Sequence, residues 1–122
     1  MEMEENVLKD FEEVCKNLPI IYKIDNYGDY LKFYTDILFE YAEDYLNLYL
    51  IVEENGICLS DSNEVYRICD GPYDVNYEIL EKFANELELD FKDYRFTKFV
   101  SLETIGNEIN KFIKLKDLIC KL

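Results

Sequence analysis

The sequence contains no histidine and no tryptophan, only two prolines and four glycines, and 13 basic residues against 27 acidic ones. Each shortage excludes something. Without imidazole, the Ser-His-Asp and Cys-His nucleophile systems, the HExxH zinc site and ordinary imidazole acid-base catalysis are absent. So few glycines provide no Gly-rich phosphate loop. The shortage of Lys and Arg disfavours direct binding to nucleic acid, which needs a basic footprint. No apolar run approaches the roughly 20 residues needed to cross a bilayer. The acidic start Met1-Glu2-Met3-Glu4-Glu5 lacks the cationic and apolar regions of a signal peptide, so a cytoplasmic location is expected.

What remains is a chain of 122 residues with a net charge of -14, 49% hydrophobic, carrying 11 Tyr and 8 Phe. That aromatic content argues for a packed core rather than acidic disorder. The length fits one domain over residues 1–122. Cys15, Cys58, Cys69 and Cys120 form no CxxC pair and match no zinc or disulfide spacing. With apolar neighbours around three of them, they read as reduced thiols of an intracellular protein.

The periodicity predicts an amphipathic helix over 3–18, with Val7, Phe11, Val14 and Leu18 inward and Pro19 ending it. A short extended piece, Ile20 to Ile24, precedes the Asn26-Tyr27-Gly28-Asp29 turn. From Leu31 to Tyr41 the pattern alternates, and Tyr45 to Glu53 is almost continuously apolar. Asn55-Gly56 before Ile57-Cys58-Leu59 predicts a hairpin with a type I′ turn. Asp61 and Glu64 read as a capping box for a short helix over 63–69. A second helix is expected from near Asp74, an alternating strand over 91–100, and a last helix capped by Ser101 with Leu102, Ile105, Ile109 and Phe112 inward. Together these predict an α+β fold: an antiparallel sheet of three to five strands around the Asn-Gly hairpin, with helices on one face.

The charge is uneven. Residues 1–24 hold six acids and three bases, residues 25–93 hold 18 and four, and residues 94–122 hold three and six. Between residues 33 and 66 there is no Lys or Arg at all. Asp36 and Glu40 are expected on one strand face roughly 13 Å apart, with Glu43, Asp44, Glu53 and Glu54 near strand ends. Such a belt, interleaved with Tyr34, Tyr41, Tyr45 and Tyr49, would steer a basic partner and weaken as salt rises.

Catalytic alternatives are thin. Asp90-Phe91-Lys92, with Asp61 or Asp70 as second ligand, is the nearest approach to a metal-dependent nuclease. No cofactor is expected.

The runs Asp44-Tyr45-Leu46-Asn47-Leu48-Tyr49-Leu50 and Asn55-Gly56-Ile57-Cys58-Leu59-Ser60-Asp61 resemble an uncharacterised family of small bacterial and prophage proteins. That family is marked by an acid before an apolar strand, a hairpin, and a Leu-(Thr/Ser)-Asp-x-Gly segment. Asp44 and Asp61 match, whereas Asn63 stands where the family has Gly. The resemblance implies a prokaryotic or phage setting and supplies no catalytic residues.

The expected function is therefore non-catalytic binding. The sharper form is an inhibitor of the anti-CRISPR type, covering the basic nucleic-acid-binding surface of a host defence protein. Asp36, Glu40, Glu43, Asp44, Glu53 and Glu54 would supply charge, with Tyr45 and Tyr49 as packing anchors. The alternative is a housekeeping module or homodimer, its basic C-terminal third docking on the acidic middle of a second copy.

Overall fold

A computed structural model describes residues 2–122, with side chains from residue 7 onward. The acidic start, Glu2, Glu4 and Glu5, therefore lies outside the described side chains. The chain runs α1 (Glu2–Cys15), β1 (Ile21–Asn26), β2 (Tyr30–Phe39), a 3-10 turn (Glu40–Ala42), β3 (Asp44–Glu53) and β4 (Gly56–Ser60). It continues through α2 (Glu64–Cys69), α3 (Tyr77–Leu87), β5 (Asp90–Lys92), β6 (Arg95–Phe99) and α4 (Ile105–Cys120). The fold is α+β, as the sequence predicts. The sheet has six antiparallel strands in the order β1-β2-β3-β4-β6-β5, more than the three to five expected.

The extra strands have local causes. Ile21–Asn26 pairs along β2 as a full edge strand. The alternating 91–100 run is cut in two because Asp93 and Tyr94 both take left-handed conformations, φ 54° and 61°. Asp93 tolerates that conformation, but Tyr94 does not signal it, since bulky side chains avoid positive φ. The Tyr94 ring is anchored instead by Tyr66 at 4.2 Å and Tyr77 at 4.9 Å.

The Asn-Gly hairpin forms one residue earlier than its type I′ reading. Glu53 pairs with Gly56, so Glu54 and Asn55 occupy the turn and Gly56 opens β4 with φ +140°. The Phe99 ring lies 3.4 Å from where a Cβ on Gly56 would sit.

The strand alternation puts Leu31, Phe33, Leu46, Leu48, Leu50 and Leu59 on one face, all fully buried. Helices α1, α3 and α4 pack there through Leu8, Phe11, Leu80, Phe83, Ile109 and Phe112. Leu8 occupies the place expected for Val7, which is exposed, and Leu102 is also exposed rather than inward. α3 starts at Tyr77 rather than near Asp74, with Asn76 capping it by accepting from the Ile79 N–H at 2.9 Å. All four cysteines are free, and burial pushes the Cys15 and Cys69 thiols up to about 12. Among the described residues, no helix is long and apolar enough to cross a membrane.

Candidate functional site

The opposite side of the sheet is left almost bare. Strand register places Tyr30, Lys32, Tyr34, Leu38, Tyr45, Asn47, Tyr49, Ile51, Cys58 and Phe99 there, away from the main core. An antiparallel sheet with one solvated face ordinarily sets polar residues outward. Here half of those outward positions are aromatic, and Tyr22, Tyr45 and Phe99 are about half exposed or more.

Five tyrosines here fall into two groups, joined through the Lys32 ammonium between Tyr34 and Tyr49. Tyr22 and Tyr34 lie 6.2 Å apart, Tyr27 stacks on Tyr30 at 4.8 Å, and Tyr30 and Tyr49 are separated by 6.4 Å. Lys23 and Lys32 hold their ammonium groups over the Tyr34 ring at 4.9 and 4.6 Å. The Tyr34 hydroxyl donates to Asp25 at 2.9 Å, and that bond, with burial, raises its pKa. Lys23, Lys32, Lys92 and Arg95 share the face with Asp25, Glu53 and Asp90. The bare face is therefore close to neutral on a strongly acidic molecule.

The acidic residues expected to act together are divided. Glu40, Glu43, Asp44 and Tyr45 gather at one end of β3, whereas Glu53 and Glu54 sit at its other end. Ten strand residues separate the groups by about 30 Å. Tyr49 lies between them on the bare face. Asp36 joins neither group and does not share a face with Glu40. The β2–β3 ladder is interrupted between Tyr34 and Leu38, where the Thr35 hydroxyl donates to the Leu46 carbonyl and accepts from the Ile37 N–H. Asp36 instead lines a cavity of about 490 Å³ with Pro19, Asn107 and Asn110, while Glu40 begins the 3-10 turn. Tyr41 has left the strand, and its backbone N–H donates to the Tyr73 hydroxyl.

Two further carboxylates turn inward, a point the sequence reading missed. Asp61 is fully buried and accepts from the backbone N–H groups of Asn63, Val65 and Phe96 at 3.3, 3.0 and 2.9 Å. Those bonds favour the charged form, but burial outweighs them and pushes its pKa up to about 6. With both oxygens so occupied, Asp61 is a structural cap and does not serve as the second ligand beside Asp90. Glu64 does not reach back to close a capping box. Its carboxylate crosses to β3, accepting from the Asn47 N–H at 3.2 Å and from the Tyr49 hydroxyl. Glu64 thus satisfies the edge of β3 just where β4 has ended at Ser60.

Beside it, Tyr30, Tyr49, Ile51, Ser62, Glu64 and Arg67 enclose a cavity of about 410 Å³ on the bare face. Arg67 brings a guanidinium nitrogen to 3.7 Å from Glu64, although its side chain is 72% exposed. Among the described residues, no three His, Cys, Asp or Glu side chains converge as a metal site. No protein family, curated protein or solved structure matches the chain, so what the site can do is read from its geometry.

Proposed function

We propose that the protein acts by binding, docking a basic partner protein across the bare face of its sheet. The observation that carries this reading is a sheet side that, among the described residues, only α2 borders, at the cavity beside Glu64, and that is set with tyrosines and Phe99. Exposed, partly ordered aromatics are characteristic anchors of protein interfaces. Charge supplies the partner's sign. The net charge of -14 attracts a basic protein over several ångströms, and the carboxylates at both ends of β3 flank the aromatic centre. Proteins that bind nucleic acid own surfaces of that kind, and covering one would displace the nucleic acid. A phage-borne inhibitor of a defence nuclease, the anti-CRISPR type expected from the sequence, belongs to this class.

The test is affinity capture from a bacterial lysate with three baits: the natural chain, a Tyr22→Ser/Tyr45→Ser double variant, and Glu81→Gln on α3 as a control. Nucleic-acid-binding proteins should be retained by the natural chain and the control. They should be released by duplex DNA or about 0.5 M salt, and lost from the tyrosine variant. Equal retention by all three baits would overturn the proposal. So would a dimer in sedimentation velocity that persists in salt and needs Tyr22 and Tyr45, since a second copy would then own the face.

A further inference from the structure

The cavity beside Glu64 deepens that reading and rests on it. A carboxylate offers about four acceptor positions over its two oxygens. Asn47 takes one on Oε1 and Tyr49 takes one on Oε2, so each oxygen keeps acceptor capacity beyond its bond to β3. A rigid carboxylate with acceptor capacity on both oxygens suits the paired N–H donors of a guanidinium better than the point charge of an ammonium. The carboxylate is preorganised, because its side chain is only 5% exposed and bonded to two groups of β3. Tyr30 lines the cavity with its ring already steadied by Tyr27 at 4.8 Å, and guanidinium planes stack on such rings. Arg67 shows that the site tolerates a guanidinium, yet at 3.7 Å it falls short of a hydrogen bond and leaves the floor only partly engaged. An anion would meet the Glu64 carboxylate on that floor and be repelled.

We infer that this cavity receives an arginine side chain of the docked partner, with its guanidinium fork on Glu64 and its plane against Tyr30. Arg67 is then an internal competitor that holds the cavity until the partner arrives.

The experiment titrates acetyl-arginine amide, acetyl-lysine amide and inorganic phosphate into the isotope-labelled full chain, followed by backbone amide shifts. Saturable shifts should centre on Asn47, Tyr49, Glu64 and Arg67 with the arginine probe, and the lysine probe should bind about fivefold more weakly. Glu64→Gln keeps the side-chain shape and should abolish the response with the remaining spectrum unchanged. Arg67→Ala should tighten binding roughly threefold by removing the competitor, an effect a merely structural Arg67 would not produce. Equal response to lysine, shifts confined to the acidic ends of β3, or a response to phosphate instead would overturn the inference. Any of those results would leave the tyrosine-dependent capture of a basic partner standing. Conversely, loss of that capture effect would remove the partner without altering the probe titration.

Discussion

At the scale of single residues, Asp61 and Glu64 show how one side-chain chemistry is put to different work. Asp61 closes the junction between β4, α2 and β6 through three backbone N–H groups. Asp61→Ala leaves those donors buried and unpaired, and should cost at least about 3 kcal/mol in urea denaturation. Its titration has a definite sign. The folded-state value of about 6 lies above the ordinary 3.8, so between roughly pH 4 and 6 the native state binds the extra proton. Stability from this group is full below about pH 4 and is lost as pH rises through 6, a fall of about 2–3 kcal/mol. Asp61→Asn should flatten that part of the pH profile even though it lowers stability overall. An unchanged profile would mean that other carboxylates set the slope. Gly56 is the second decisive residue. With φ +140° and Phe99 overhead, Gly56→Ala should lower stability by about 1–3 kcal/mol, read as a shift in the denaturation midpoint.

At the scale of elements, local signals were legible where a cap or period acted alone. The amphipathic stripes of α3 and α4, the burial alternation of β2 and the turn after β3 could all be read from spacing. Asn76→Ala should therefore cost about 1 kcal/mol, as expected for an exposed helix cap. The departures arise where an element answers to a distant neighbour. Tyr94 adopts positive φ because its ring is held by Tyr66 and Tyr77. Asp36 turns away from Glu40 because Thr35 interrupts the β2–β3 ladder. Glu64 bonds β3 because β4 ends at Ser60 and leaves the Asn47 N–H without a strand partner.

At the scale of the whole molecule, the excess negative charge is spread around the sheet rather than over its bare face. It sits at both ends of β3 and along the exposed side of α3, at Glu78, Glu81 and Glu86. Such self-repulsion is screened by salt. The midpoint of urea unfolding should therefore rise between about 0.01 and 0.5 M NaCl, by an amount worth roughly 1 kcal/mol or more. A flat salt response would mean that this repulsion contributes little to the folded state's free energy.

The sequence by itself determined the α+β class, most of the core, though not the exchange of Leu8 for Val7 or the exposure of Leu102, and the sign of the molecule's field. Each of these follows from composition or from periods of 2 and 3.6 residues, which act within a single element. Only the tertiary structure decided which carboxylates face solvent, which face of the sheet stays bare, and how Tyr30, Tyr49, Glu64 and Arg67 enclose a cavity. The reason is that strand register and chain reversal bring together residues separated by up to 37 positions along the chain, and no local pattern encodes those meetings.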